Sequence, residues 1–195
     1  LYIELDGQPY MLEMVSKTDD ETLFGAYGKD DFSKTITSYT KKLYTDPLTG
    51  AYNRAYYEEQ LSALNGGITA AAIFDCDYFK TINDNFGHDA GDMALKTVAE
   101  TVSGLIRSSD ALIRFGGDEF IVVFSHIPAD AFEAKLEHIR EKVSQAIVEG
   151  YPDICLSISV GGVYSESHIK DFLKEADEML YKAKKRRNCV CVEYI

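Results

Sequence analysis

The chain has 195 residues, of which 46% are hydrophobic and 27% charged, proportions typical of a globular protein with one sizeable core. Its formal net charge of −12 argues against a general nucleic-acid-binding protein and against binding to an anionic membrane surface. An anionic ligand would therefore need a metal ion or a local basic patch beside it.

The N-terminal part of the chain contains two patterns. Residues 1–15 predict a β-hairpin with a turn at Asp6-Gly7, and an isolated hairpin is marginal in water, so we expect it to complete a larger sheet. Residues 31–44 predict a helix with one apolar seam, because apolar side chains recur at steps of four, three and four. Two interpretations remain open: a short helix lying on the following domain, or a signalling helix that pairs with a second copy of itself.

From Asp46 onward, helical and strand patterns alternate. Helices are predicted from about Arg54 to Leu64 and over 90–106, 129–148 and 170–184, and strands over 69–74, 154–163 and 190–195. The run 69–74 is entirely apolar after its first residue, which is typical of a central strand covered on both faces. The pattern predicts a layered α/β domain from about residue 46.

The four cysteines, Cys76, Cys155, Cys189 and Cys191, show neither a Cys-x-x-Cys spacing nor a nearby histidine. Cys189 and Cys191 would lie on the same face of one strand, where a mutual disulfide has poor geometry. We therefore expect buried free thiols in a reducing compartment. The sequence shows no signal peptide and no long apolar span.

The motif Gly-Gly-Asp-Glu at 116–119 lies between two apolar runs, 111–115 and 120–124. This predicts a β-hairpin with a glycine-rich turn, where phosphates can approach bare backbone and the paired carboxylates favour a divalent cation. Taken alone, such a tetrapeptide is more often a solvated turn, so the interpretation depends on the rest of the chain.

Two further carboxylates, Asp75 and Asp77, follow the central strand, at the strand end where α/β sheets usually place ligands. Alone they could be strand-end solubilising residues. If they face Asp118 and Glu119, all four become candidate ligands for a hard cation such as Mg²⁺.

The segment 78–92 that follows is polar yet aromatic. Asn83 and Asp92 offer amide and carboxylate groups suited to the hydrogen-bonding edge of a purine. Asp92 is expected in the first turn of a helix starting near Ala90, and for this residue alone helix capping is the stronger interpretation.

These motifs occur together and in order: Asp46-x-Leu-Thr-Gly50, Asn53-Arg54, Asp75-x-Asp77-x-Phe79-Lys80, Asn83-Asp84, Phe86-Gly-His-Asp-x-Gly-Asp92 and Arg114-Phe-Gly-Gly-Asp-Glu-Phe120. The combination resembles the GGDEF family of diguanylate cyclases, over about residues 46–195. The resemblance implies a palm-like nucleotidyl-cyclase sheet flanked by helices, with the Gly-Gly-Asp-Glu hairpin at the active site. It also implies condensation of two GTP into cyclic di-GMP and two pyrophosphates, by metal-assisted attack of a 3′-hydroxyl on the α-phosphate.

The resemblance assigns roles to individual residues. Asp75, Asp118 and Glu119 match catalytic positions, and together with the Cys76 backbone carbonyl they match ligands of two Mg²⁺ or Mn²⁺ ions per active site. Asp118 also matches the position proposed to help deprotonate the attacking hydroxyl. The implied substrate-binding residues are Asn83, Asp92, His88, Phe79, Lys80, Lys184 and Arg187. A carboxylate at Asp92 favours GTP over ATP, because guanine presents N1–H and N2–H₂ donors.

Two further segments bear on this resemblance. Arg107-Ser-Ser-Asp110 matches the product-inhibition motif of the family, although an isolated Arg-x-x-Asp is usually a surface pair. Residues 183–188 are one residue shorter than the family pattern Ala-Lys-x-x-Gly-Arg-Asn and lack its glycine. Arg187 is the best match for the triphosphate-binding arginine, and Arg186 is the alternative.

The resemblance also implies partners and an organisation of the chain. Catalysis would need a homodimer facing about a two-fold axis, with cyclic di-GMP as product and inhibitor and no nucleic-acid partner. We expect residues 1–30 to be the end of an upstream, PAS-like sensor with its connector, 31–45 a linker helix and 46–195 the cyclase domain. We expect a bacterial cytosolic location, with any membrane attachment in a part of the protein that precedes residue 1.

Two other functions compete with the cyclase interpretation. One is a non-catalytic receptor for cyclic di-GMP or GTP, and the other is a cyclase with another nucleotide product. Asp75, Asp118 and Glu119 are all retained, which favours the enzyme, and Asn83 with Asp92 disfavours another base.

Overall fold

A computed structural model describes Tyr2–Leu5, Gln8–Met11 and residues 41–61, 68–169 and 171–195. The chain divides into two compact units, Leu1–Thr40 and Lys41–Ile195. In the first unit, β1 (Tyr2–Leu5) pairs antiparallel with β2 (Gln8–Met11), which confirms the predicted hairpin. The predicted helix over 31–44 lies outside the described residues except for 41–44, which are helical.

The second unit is built on a six-stranded sheet. Its strands are β3 (Tyr52–Asn53), β4 (Ile68–Cys76), β5 (Ala111–Arg114), β6 (Glu119–Phe124), β7 (Ile158–Ile169) and β8 (Val190–Tyr194). The spatial order is β3-β5-β6-β4-β7-β8, with β3–β5 and β7–β8 parallel and the other neighbours antiparallel. The strand predicted to be central, β4, lies between β6 and β7.

Besides the helical residues 41–44, five helices accompany this sheet in the described part of the unit. They are α1 (Arg54–Tyr56), which continues as a π-helical turn over Tyr57–Leu61, α2 (Phe79–Phe86), α3 (His88–Ser103), α4 (Ala129–Gln145) and α5 (Phe172–Lys184). No helix in the described part of the chain is long and apolar enough to cross a membrane.

One unpredicted helix and two shifted element starts are the differences from the sequence predictions that lie nearest the candidate site. Helix α2 was not predicted, because its sequence is mostly polar and only Ile82 is buried. Helix α3 begins at His88 rather than near Ala90, so Asp92 lies in the second turn and not in the first. Strand β7 starts at Ile158, four residues later than predicted, because residues 154–157 do not join the sheet.

The two faces of the sheet bury separate apolar clusters. On β4, Ala70, Ala72 and Phe74 face the cluster that includes α3 and α4, whereas Ala71 and Ile73 face the cluster that includes α5. All five side chains are buried. The prediction of a central strand covered on both faces is therefore confirmed, and helices pack on both sides of the strand ends that carry the candidate site.

Two adjacent glycines on β7 allow this double-sided packing. A Cβ on Gly161 would overlap the backbone of Ala176 and Leu180 in α5. A Cβ on the next residue, Gly162, would crowd Leu136 and Phe132 of α4 from the opposite face. The two glycines let α5 approach one face of β7 and α4 approach the other. The close approach of α5 determines where this helix ends near the candidate site.

The four cysteines are free thiols, but only Cys76 is buried. Cys155 is exposed, and Cys189 and Cys191 are half-buried. The expectation that all four thiols are buried is therefore wrong. Cys155 lies in an irregular segment before β7. Cys191 lies in the edge strand β8, and Cys189 directly precedes that strand.

Candidate active site

The acidic residues of β4 and of the β5–β6 hairpin meet at one edge of the sheet. In the antiparallel register Asp75 lies directly opposite Glu119. The backbone N–H of Cys76 donates to the carbonyl of Asp118 at 3.2 Å. Carboxylates from two chain segments more than forty residues apart are thus brought side by side, as the candidate ligand set requires.

The environment of Asp75 favours a positive charge beside it. Burial raises the pKa of the Asp75 carboxyl above its usual value, and the nearby charge of Asp118 raises this pKa further. A hydrogen bond from Lys184 opposes both effects, because its Nζ lies 2.7 Å from the Asp75 Oδ2. The carboxylates therefore repel each other in a partly desolvated place, where a cation relieves the repulsion.

The donor chemistry at this edge fits a hard divalent cation. The carboxylates of Asp75, Asp118 and Glu119 and the carbonyl of Cys76 are oxygen donors, which Mg²⁺ and Mn²⁺ prefer. Among the residues that the structure describes, no three His, Cys, Asp or Glu side chains already form a metal-holding cluster. The carboxylate of Asp75 is instead bonded to Lys184.

Asp77 has a different environment from Asp75. Its fully buried carboxylate accepts four hydrogen bonds: from the hydroxyls of Ser157 (3.1 Å) and Ser159 (2.8 Å), from Nη1 of Arg187 (3.0 Å) and from the N–H of Asn188 (2.9 Å). The structure contradicts the hypothesis that Asp77 joins Asp75 as a cation ligand, because both of its oxygens are already engaged.

Basic side chains from the end of α5 reach the same edge. Lys184 pairs with Asp75, and Arg187 pairs with Asp77 while its guanidinium lies 5.4 Å from the centre of the Tyr78 ring. The alternative match, Arg186, has an exposed side chain. The predicted basic cluster is thus located beside the carboxylates, where the charge of a triphosphate would need it.

The residues predicted to bind guanine lie on two consecutive helices joined at Gly87. Asn83 of α2 is half-buried, and its amide lies against the backbone of Gly91 in α3, one residue before Asp92. Asp92 is exposed and available to a ligand. The α2–α3 pair therefore brings the predicted amide and carboxylate to neighbouring positions.

Three further predicted residues lie on the same helix pair. Phe79 is half-buried and packs on the core beside Gly91, whereas Lys80 and His88 are exposed. Phe79 thus packs α2 onto the core, and Lys80 and His88 present polar side chains to solvent.

A brace that the sequence reasoning missed holds the Gly-Gly turn. Arg114 donates to the carbonyl of Gly117 through Nε (3.1 Å) and Nη2 (2.7 Å), and its Nη1 lies 3.1 Å from the carboxylate of Asp46. Asp46 also accepts from the N–H and the hydroxyl of Thr49. Although burial disfavours its charged form, these hydrogen bonds keep the pKa of Asp46 below its ordinary value. In the sequence, the motif Asp46-x-Leu-Thr was the available indication of this contact.

The predicted inhibitory residues lie beside a cavity of about 430 Å³, whose walls include Tyr52, Ile106, Arg107 and Asp110. The carboxylate of Asp110 accepts from the N–H of Arg107 (3.0 Å) and of Ser125 (3.1 Å). None of the strand-end carboxylates lines this cavity. Arg107 and Asp110 therefore belong to a second location in the domain.

Comparison with known proteins identifies the family of this domain. The domain family described as "Diguanylate cyclase, GGDEF domain" matches residues 43–189. The "Probable diguanylate cyclase DgcC" of Escherichia coli (strain K12) is 37% identical over 149 residues, which cover 72% of this chain and 40% of that protein. The "Response regulator PleD" of Caulobacter vibrioides is 38% identical over 153 residues, which cover 72% of this chain and 34% of that protein.

A solved structure gives the same result for the fold. The coiled coil and GGDEF domain of DgcB from Caulobacter crescentus, in complex with c-di-GMP, superposes with a TM-score of 0.74 at 27% identity, covering 84% of this chain and 93% of that one. The chain spans less than half the length of the two curated relatives. On the motifs, the palm-like sheet and the family match, the chain belongs to the GGDEF family of diguanylate cyclase domains.

Proposed function

We propose that residues 46–195 condense two GTP molecules into cyclic di-GMP and two pyrophosphates. The observation that carries the proposal is the pairing of Asp75 opposite Glu119, with Asp118 bonded to the Cys76 backbone and Lys184 bonded to Asp75. Carboxylates beside fixed cationic groups are what nucleotidyl transfer needs, because catalysis there is mostly positioning and charge stabilisation.

Each residue of this edge has a defined role in the proposal. Two Mg²⁺ or Mn²⁺ ions, held by Asp75, the Cys76 carbonyl, Asp118 and Glu119, would supply Lewis-acid stabilisation of the phosphate charge. Asp118 helps to accept the proton of the attacking 3′-hydroxyl. Lys184 and Arg187 stabilise negative charge on the triphosphate.

The helix pair α2–α3 binds the base in this proposal. Asn83 and Asp92 hydrogen-bond the guanine edge, with Phe79 and His88 lining the pocket and Lys80 directed to phosphate. A carboxylate accepts from both the N1–H and the N2–H₂ of guanine, whereas adenine offers a different pattern of donors and acceptors. The substrate is therefore GTP.

Each domain holds one GTP, so cyclisation requires two domains that face each other about a two-fold axis. Residues 31–45 act in this proposal as the linker helix that pairs the domains, and residues 1–30 belong to an upstream sensor. The product binds at Arg107 and Asp110 and inhibits the enzyme. The cavity of about 430 Å³ beside these two residues leaves room for such a ligand.

The test is to incubate the chain with GTP and Mg²⁺ and to resolve the nucleotide products. We expect cyclic di-GMP and pyrophosphate, with an activity per chain that rises with protein concentration and rises further when residues 31–44 are forced to pair. The variant Asp118→Asn is the control and should form no product. Absence of product from the paired wild-type chain, or a flat activity per chain across concentration, would contradict the proposal.

The cavity at Arg107 and Asp110 also favours a second candidate function, that of a receptor for cyclic di-GMP without catalysis. An arginine can fork onto guanine O6 and N7 or onto a phosphate, and a carboxylate can accept from the base. The product assay separates the two functions, because a receptor would bind cyclic di-GMP at this cavity and leave GTP unchanged.

A further inference from the structure

Backbone strain is concentrated around one buried carboxylate. Three non-glycine residues in the described ranges have positive φ: Tyr78 (60°), Arg187 (63°) and Asn188 (44°). Tyr78 directly follows Asp77, and Arg187 and Asn188 both donate hydrogen bonds to Asp77. Left-handed backbone is unfavourable for residues with a Cβ, and it persists only where the surroundings enforce it.

The carboxylate of Asp77 joins two parts of the sheet edge to the end of α5. On one side it accepts from the hydroxyl of Ser157, directly before β7, and from that of Ser159, the second residue of β7. On the other side it accepts from Nη1 of Arg187 and from the backbone of Asn188. A buried carboxylate with four donors makes a rigid anchor, because every lost donor leaves charge uncompensated.

This anchor holds a turn that has no glycine. The GGDEF pattern places a glycine just before the arginine, whereas here residues 183–188 read Ala-Lys-Lys-Arg-Arg-Asn. The N–H of Arg187 still closes onto the carbonyl of Ala183 at 2.8 Å, so the helix ends in a tight turn. The two left-handed residues are stabilised by Asp77 instead of by the freedom of glycine.

The consequence is a defined position for the Arg187 guanidinium. It is held between Asp77 and the ring of Tyr78, three residues beyond the lysine that bonds Asp75. A guanidinium carries five N–H donors in a fixed fork, so a bond to Asp77 orients the group while other donors can face a phosphate. About 38% of the Arg187 side chain remains exposed, whereas Asp77 is fully enclosed.

We propose that Asp77 is the positioning residue of the triphosphate site: it orients Arg187 and touches neither the nucleotide nor the cation. The inference rests on the proposed function, in which Arg187 binds the triphosphate. The competing role for Asp77 is general stability of the fold, and that role predicts equal damage to every ligand. Positioning of Arg187 predicts damage only to ligands that carry the β- and γ-phosphates.

The experiment measures binding of 3′-deoxy-GTP and of GMP by calorimetry in the presence of Mg²⁺. The first ligand lacks the attacking hydroxyl and cannot cyclise, and the second lacks the outer phosphates. We expect Asp77→Asn to lower the affinity for 3′-deoxy-GTP by about tenfold and to change the affinity for GMP by less than about twofold. The matched control is Asp177→Asn, the same substitution at an exposed position of α5, which should alter neither affinity.

A double-mutant cycle tests whether Asp77 acts through Arg187. If it does, the double variant with Asp77→Asn and Arg187→Ala binds 3′-deoxy-GTP no more weakly than the Arg187→Ala variant does. Additive losses would overturn the proposal, as would an equal loss of GMP and 3′-deoxy-GTP affinity.

Should Asp77→Asn fail to fold, Ser159→Ala is the second variant, because it removes one donor and keeps the carboxylate. It should give a smaller loss of affinity with the same selectivity for the triphosphate. Equal losses for both ligands, or no loss for either, in that variant would overturn the proposal.

The outcome also separates this inference from the proposed function. A wild-type chain that binds GMP and 3′-deoxy-GTP with equal affinity would overturn the triphosphate role of Arg187 and, with it, the positioning role. If the wild-type chain prefers the triphosphate but the affinity losses of Asp77→Asn and Arg187→Ala are additive, only the positioning role would be overturned.

Discussion

Asp46 and Arg114 lie 68 positions apart in the chain and form an ion pair in which only 17% of either side chain is exposed. The same guanidinium donates twice to the carbonyl of Gly117. The loop before β3 therefore holds the Gly-Gly turn in place through one arginine, and the position of the β5–β6 hairpin depends on a segment outside the hairpin.

Replacement of Arg114 by lysine tests this brace. A lysine keeps the charge but cannot donate to Asp46 and Gly117 in the same fork, so we expect a loss of about 1–3 kcal/mol in the free energy of unfolding. Cyclase activity should fall as well, because the turn that carries Asp118 loses its support. Thermal denaturation and product formation measure the two effects.

The control for that variant is Arg54→Lys. Arg54 pairs with Glu58 at the surface, with more than half of both side chains exposed, and its guanidinium lies 4.8 Å from the centre of the Phe115 ring. Exposed pairs contribute little, and a lysine can keep a positive charge over the ring. We expect a change within about 0.5 kcal/mol. Equal losses for the two variants would show that the brace is no more important than a surface pair.

The Asp46 carboxyl makes the brace sensitive to acid. Its pKa in the folded chain lies below the ordinary value of 3.8, so its contribution to stability is fully present above that value and is lost as the pH falls through the folded pKa. The stability difference between wild type and Asp46→Asn should be constant near neutral pH and should shrink below pH 3.8. Chemical denaturation across pH 2.5–7 measures this, and a difference that grows in acid would contradict the assignment.

Gly91→Ala should alter base recognition without unfolding the domain. A Cβ at this position would overlap the amide oxygen of Asn83, a movable side chain, and would approach Phe79. Alanine is also a better helix former than glycine by about 1 kcal/mol, which offsets the crowding. We expect stability within about 1 kcal/mol of wild type and a clear loss in the preference for GTP over ATP. Unchanged discrimination would show that Asn83 does not read the base.

Gly161→Ala should destabilise the whole domain. Its Cβ would overlap backbone atoms of Ala176 and Leu180, which cannot move without displacing α5. Overpacking of this kind costs about 1–3 kcal/mol and occasionally more. The matched control is Gly117→Ala, where a Cβ meets nothing within 4 Å. Similar melting temperatures for the two variants would contradict the close approach of α5 to β7.

Thiol labelling distinguishes the cysteines by location. Cys76 is buried, and burial raises the pKa of its thiol far above the usual value, so its reactive thiolate is scarce. Cys155 is exposed. We expect a maleimide or disulfide reagent to modify Cys155 in the native chain and Cys76 only after unfolding, as read by mass spectrometry of peptides. Modification of Cys76 at the rate of Cys155 would contradict the position of β4.

Much of the fold was predictable because its signals are local. The apolar run ending at Phe74 and the hairpin around Gly116 and Gly117 depend on residues adjacent in the chain, and both predictions are confirmed. Helix α2 was missed because its polar residues resemble a loop, and it is stabilised by contacts of Phe79 and Ile82 with the core. Such contacts depend on distant residues and leave little trace in local periodicity.

The sequence by itself determined which chemistry is available: carboxylates at two strand ends, a basic cluster after α5 and motifs that identify the family. Only the tertiary structure decided how two similar residues, Asp75 and Asp77, divide their roles. Asp75 lies opposite Glu119 at the hairpin tip, whereas Asp77 is buried beneath Arg187, 110 positions further along the chain. The physical reason is that a carboxylate takes its role from the donors that surround it, and here these donors come from segments that meet only when the sheet has formed.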